Sequence, residues 1–288
     1  MTNTSVAVAL LVLGNFIASL ADVSVKNLDG DISAVQYTFL RQCMSLLIVL
    51  PFWLRQERHK RALSHNGVTL VRAHLIMVGS GCTMMAITYL PLATANAIFY
   101  TAPLIMLPLS VWLLNEAPKA SKVIGSLIGF VGVLVVLRPS QFHWAAWFAL
   151  GTAVSVAIFH LLARRLPAEQ SVVTTLFWTS LFSLPISGVL ALAYWQPLSW
   201  PLVGWVFMTA VCVLAYNGLA VLAYKKAPAD QISMAEYTGL IFVTLMGIAW
   251  FAEVPDWLSL FGMALIIVPL LPWRTLVPKL KHWLLGLA

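Results

Sequence analysis

Two charged side chains interrupt long apolar stretches of the chain. Glu236 is the one charge in ISMAEYTGLIFVTLMGIAWF, residues 232–251, and Arg41 is the one charge in 33–54. A charge inside such a run costs about 3 kcal/mol on insertion scales, so intramembrane ionisable groups are functional by default. A carboxylate can take up a proton or pair with an ammonium. A guanidinium keeps its proton and offers a planar fork that fits a carboxylate. Glu236 stands about five residues, roughly 8 Å, from one end of its run, and Arg41 about eight residues, roughly 12 Å, from the opposite end of its own. In a hydrocarbon core of about 30 Å their depths then differ by about 10 Å. A zwitterion could bridge them, its carboxylate on Arg41 and its ammonium on Glu236. The structural alternative gives Arg41 a partner within the chain, Asp22.

Weaker candidates surround this pair. Tyr100 and Tyr237 lie well inside apolar runs, where a ring with a hydroxyl suits a substrate cavity. Asn15, Asn96 and Asn217 could hydrogen-bond a ligand, although bridging between helices is the commoner use. Trp178 could form an aromatic platform or simply pack. His160 could relay protons together with Glu236, or reach the membrane interface. Cys43, Cys82 and Cys212 form no CxxC pair, so neither a metal site nor a disulfide framework is expected. There is no HExxH, no GxSxG and no phosphate-cradling glycine loop, which argues against an enzyme and against any cofactor or nucleotide.

The elements that would position these residues follow from composition. Of the 288 residues 61% are hydrophobic and 9% are charged, against about 25% charged in a soluble domain. Mean hydropathy is +0.90. Apolar runs long enough to span a bilayer fall at about 5–25, 33–54, 70–90, 92–114, 121–138, 144–163, 171–194, 201–224, 231–252 and 257–273. The expected fold is therefore an all-α membrane protein with ten transmembrane helices. With the N-terminus in the cytoplasm, the inner loops and tail hold 14 of the 17 lysines and arginines, Arg72 among them. This bias predicts that both termini are cytoplasmic and that the basic rim faces anionic lipid. It also accounts for the net charge of +7 without nucleic acid. Residues 274–288 are expected to form an amphipathic cytoplasmic tail lying along the inner leaflet. Glu116 and Glu253 each end a run two residues before a proline, which suggests a carboxylate at the N-terminus of the helix that follows. Gly125 and Gly129 form a GxxxG packing signal.

The sequence also matches itself at an offset of 137. Gly14 meets Gly151, Gly81 meets Gly218, Pro91 meets Pro228, Tyr100 meets Tyr237, Thr101 meets Thr238 and Glu116 meets Glu253. Each half holds five spans, so the second enters the membrane in the opposite sense. Two inverted five-helix repeats, 1–139 and 140–273, are typical of secondary transporters, with the substrate near the midplane between the repeats.

Residues 89–139, YLPLATANAIFYTAPLIMLPLSVWLLNEAPKASKVIGSLIGFVGVLVVLRP, resemble the EamA domain of the drug/metabolite transporter superfamily. The carrying features are a small-residue helix start, a mid-helix proline, a helix-ending glutamate and a glycine-rich next span. Residues 226–273 resemble a second, weaker copy, with Leu240 in place of Pro103. The resemblance implies an inner-membrane carrier, a monomer or homodimer, that exports amino acids or related zwitterions. Riboflavin-like vitamins, purines, opine metallophores and S-adenosylmethionine are the alternative substrates. An intramembrane enzyme or a scaffold is the rival class.

Overall fold

A computed structural model describes residues 3–63, 65–114, 120–137, 143–163, 165–167, 169–227, 235 and 237–268. Glu236, Glu116, Arg138 and the tail 274–288 lie outside the described residues. In a hydrocarbon medium each backbone N–H and C=O must be satisfied within its own segment, so apolar runs of this length fold as helices. The helices are α1 (Asn3–Lys26), α2 (Ala34–Leu54), α3 (Arg58–Arg61), α4 (Asn66–Tyr89), α5 (Leu92–Phe99), α6 (Ala102–Leu114), α7 (Ala120–Leu137), α8 (Ala146–Ala163), α9 (Val172–Ala193), α10 (Trp200–Lys226), α11 (Thr238–Phe251) and α12 (Trp257–Ile267). Six of them are long and apolar enough to cross a membrane, and shorter apolar segments occupy 92–106, 123–137, 238–251 and 257–267. The fold is an all-helical membrane protein. Polar caps start several helices: Ser33 accepts from Gln36 N, Ser199 from Leu202 N and Asp256 from Ser259 N.

Packing follows the internal repeat. Helix α1 packs on α10, and its repeat mate α8 packs on α4, the mate of α10. The pairs α2 with α9 and α7 with α12 each join an element to its own mate. Apolar side chains on the outside, such as Leu47, Val189 and Leu192, are more than half exposed and would meet lipid. The close approach of α7 to α12 runs through Gly132 and Gly262. A Cβ on Gly132 would stand 2.8 Å from the Gly262 carbonyl oxygen and 2.9 Å from the Ile266 nitrogen. Both are backbone atoms that cannot step aside. Of the expected Gly125/Gly129 pair, Gly129 receives the side chain of Leu104 on α6.

One expected span is built differently. The fourth is two helices, α5 and α6, separated by a jog at Tyr100 and Thr101. The Thr101 hydroxyl donates to Ile98 O at 2.7 Å, and Pro103, with no N–H, sits at the second position of α6. In the ninth, residues 231–234 and 236 lie outside the described residues, and α11 is described from Thr238. The Thr238 hydroxyl donates to Ala235 O at 2.6 Å, the repeat-equivalent bond. Tyr100 and Tyr237 have nearly the same backbone, φ −67, ψ −1 and φ −77, ψ −8. The two copies therefore share the local backbone at this tyrosine and the threonine bond that follows it. A threonine hydroxyl that binds back to its own helix carbonyl bends the helix, and this threonine is present in both halves.

Arg72 is also placed differently. Helix α4 reaches back to Asn66, so Arg72 is helical rather than in a loop, and it is buried with its guanidinium 4.0 Å from the Phe159 ring centre.

Candidate functional site

The site is organised by one face of α1. Asn15, Ser19, Asp22 and Lys26 recur at i, i+4, i+7 and i+11, which places them in a line along a helix. Asn15 and Ser19 are buried. Asn15 Nδ2 donates to Ala235 O at 2.7 Å and to Thr238 Oγ1 at 3.2 Å. Ser19 Oγ donates to Asn15 O at 2.9 Å and reaches Gly239 O at 3.3 Å. Asp22 Oδ2 accepts from Asn96 Nδ2 of α5 at 2.9 Å. Lys26 makes an ion pair with Glu253 and donates to Leu90 O at 2.9 Å. The repeat mates of the stripe are Thr152, Val156, Phe159 and Ala163. Only the first half carries the charged version.

The start of α11 and Tyr100 lie beside this stripe. The rings of Tyr100 and Tyr237 lie 6.1 Å apart, tilted by 42°. Between them Gly239 lets the chain approach: a Cβ there would collide with the Tyr100 hydroxyl and stand 3.5 Å from Asn15 Cβ. The structure thus brings together Asn15, Tyr100 and Tyr237, with Asn96 one turn away on α5, bound to Asp22. Glu236 lies outside the described residues, but its chain neighbours Ala235 and Tyr237 both belong to this cluster.

Arg41 is buried on α2, and its Nε donates to Ser80 Oγ of α4 at 3.0 Å. The alternative pairing with Asp22 is not made among the described residues, and Asp22 instead accepts from Asn96. Tyr37 stands in electrostatic reach of both Arg41 and Asp22, and its hydroxyl interacts with Ser80 and Thr209. Among the described residues no carboxylate lies within ion-pair distance of Arg41. A guanidinium has five N–H donors, and a single neutral hydroxyl leaves most of its hydrogen-bonding capacity open to an anion.

Three other sequence candidates sit elsewhere. Trp178 donates from Nε1 to Arg61 O at 2.9 Å and packs against Trp53 and Phe182. That anchors the α3 segment to α9. His160 stands edge-on to Phe159, within the field of Arg72. Asn217 is half-buried on α10, the repeat mate of Ser80, and makes no side-chain hydrogen bond among the described residues.

Glu253 does bind a helix N-terminus, but of a different helix from the one its proline suggests. Its Oε2 accepts from Leu92 N at 2.7 Å, at the start of α5 in the other half, while Asp256 caps α12. Sequence reasoning took α1 as two isolated polar positions, Asn15 and Asp22. The signal it missed was the 3.6-residue spacing that joins them to Ser19 and Lys26. A cavity of about 530 Å³ opens beside Glu253, lined by Tyr89, Pro91, Thr94, His143 and Asp256 among others. Its two carboxylates are already engaged by Lys26 and by the α12 cap, and none of the expected substrate-binding residues lines it.

The EamA-like transporter family model matches residues 5–138 and again residues 143–271. The chain belongs to the EamA-like transporter family. Its relatives include an S-adenosylmethionine uptake transporter of Rickettsia prowazekii, 25% identical over 260 residues, 88% of this chain and 86% of that one. A pseudopaline exporter of Pseudomonas aeruginosa is 26% identical over 275 residues, 91% and 93% of the two chains. A riboflavin transporter of Vibrio cholerae is 24% identical over 262 residues, 88% and 85%. One solved crystal structure matches the fold with a TM-score of 0.61 at 18% identity, covering 96% of this chain and 98% of the other. This EamA-like protein is a multi-pass inner-membrane transporter of a small molecule and not an enzyme.

Proposed function

We propose that this transporter carries small zwitterionic metabolites bearing an amino-acid head, amino acids among them, by alternating access between its two inverted repeats. The observation that supports this most directly is Arg41, a buried guanidinium whose described partner is one neutral hydroxyl. Removing a charge from water costs several kcal/mol unless an opposite charge and hydrogen bonds compensate. A substrate carboxylate would supply both. The Asn15–Tyr100–Tyr237 cluster would enclose the organic part, and Glu236 would take the ammonium or a proton. One relative agrees in chemistry, because S-adenosylmethionine carries a methionine head. Export is the direction that the family resemblance implies, and the relatives' names include both uptake and export.

Ligand binding to the native fold raises apparent stability, by about 2.7 kcal/mol at a hundredfold excess over Kd. The purified protein should therefore melt at higher temperature with methionine or S-adenosylmethionine, and not with riboflavin or adenine. Glu236→Gln should lose that shift. Stabilisation by riboflavin alone would replace the zwitterion reading, and equal shifts in both proteins would remove Glu236 from the site.

A further inference from the structure

We propose that Asp22 is the carboxyl that binds and releases a coupling proton. The proposal rests on the transporter reading and adds to it a residue that the zwitterion model leaves unused.

Three observations carry it. First, Asp22 lies on the α1 stripe between the tyrosine cluster and Lys26, on the face where α1 meets α5. Its repeat mate is Phe159, so duplication does not account for the charge. Second, its described hydrogen-bond partner is a neutral amide. Asn96 Nδ2 donates to Asp22 Oδ2, and no cation lies within ion-pair distance among the described residues. An amide can serve both charge states, since its N–H binds a carboxylate and its oxygen can accept from a carboxylic acid. The nearest cation along α1, Lys26, is committed to Glu253. Third, Tyr37 of α2 stands within electrostatic reach of both Asp22 and Arg41, which act on it in opposite senses, so Asp22 lies near the proposed carboxylate site.

The neighbouring elements add little further charge. Helix α4 contributes Ser80, and its charged residues Arg72 and His74 stand near its start. Helix α10 contributes Thr209, with its lysines at its far end. Helix α11 has no charged residue in Thr238–Phe251 and brings Tyr237 in just before it, α5 has only Asn96, and Glu236, next in sequence to Tyr237, is the other carboxyl proposed for this site. Ionised Asp22 adds negative potential for a substrate ammonium, and protonated Asp22 does not. Proton and substrate therefore compete, and one proton taken up on the predicted outer side and released on the inner side exchanges for one outgoing zwitterion.

The test needs no substrate. Infrared difference spectra between acidic and alkaline pH are recorded on the wild type in lipid. Acidification should produce a protonated-carboxyl C=O band that is missing from Asp22→Asn and returns, displaced, in Asp22→Glu. Asn96→Ala should move the titration midpoint of that band. A difference spectrum of Asp22→Asn identical to wild type would overturn the proposal. Should Asp22→Asn not fold, an unmoved band in both Asp22→Glu and Asn96→Ala overturns it equally. Because the readout is substrate-free, it stands or falls separately from the melting experiment on zwitterions.

Discussion

Arg41→Met should weaken binding of a zwitterionic ligand by about 30-fold or more, while the ligand-free protein melts no lower than wild type. The first half of this expectation follows from the lost charge pair. Truncating one partner of a buried hydrogen-bonded pair costs about 2–5 kcal/mol, and each 1.4 kcal/mol is about tenfold in Kd. The second half follows from what Arg41 touches in the ligand-free structure, which is Ser80 and no carboxylate. Removing an unpaired buried charge relieves a desolvation penalty, and the similar volume of methionine keeps the packing. Arg41→Lys should recover little of the affinity, because an ammonium cannot form the planar two-point pair. Melting curves with and without methionine or S-adenosylmethionine measure both effects. A marked loss of stability in ligand-free Arg41→Met would mean that the arginine serves the fold rather than the substrate.

The ion pair at the predicted outer end should behave in the opposite way. Lys26 and Glu253 are both largely shielded, with 14% and 19% of their side chains exposed. They tie the end of α1 to the α11–α12 connection across the two halves. Lys26 also holds Leu90 O, and Glu253 holds Leu92 N. Losing one partner strands the other charge, at a cost of about 3 kcal/mol or more. Lys26→Met and Glu253→Gln should each cost about that much, whereas the double variant should cost no more than the worse single. Glu253→Ala should add about 1 kcal/mol, because it also removes the acceptor at the α5 N-terminus. Unfolding of the four proteins in one detergent closes the cycle. Strictly additive single effects would show that the two charges do not depend on each other. The repeat mate of Lys26 is Ala163, so this link has no lysine at the corresponding position in the other half.

Much of this organisation was legible in the sequence for a physical reason. A bilayer allows few backbone solutions, so apolar length marked most of the helices. The exceptions arise where side chains act on the backbone. The break at Tyr100 was hidden because Thr101 and Pro103 lie inside an unbroken apolar run. Hydropathy is blind to a hydroxyl that bonds to its own carbonyl, and the repeated Tyr-Thr pair was the only trace. In the site, residue type alone raised Arg41, Asn15 and the tyrosines. It could not show that Asp22 belongs to Asn96, or that Glu253 reaches α5 instead of its own following helix. Those are pairings across elements, decided by packing rather than by spacing. Trp178 illustrates the converse, since its indole serves a backbone carbonyl of the short α3 helix, a contact with no local signature.

The central claim is that a substrate carboxylate completes Arg41. Its most direct test is counterflow of labelled S-adenosylmethionine in proteoliposomes, with methionine and methionine methyl ester as competitors. The ester keeps the ammonium and the side chain and loses only the anionic charge. The account predicts that methionine inhibits the labelled flux and that the ester does so at least about tenfold more weakly, matching at least 1.4 kcal/mol. Equal inhibition by ester and free acid, or no saturable flux of either zwitterion, would contradict it.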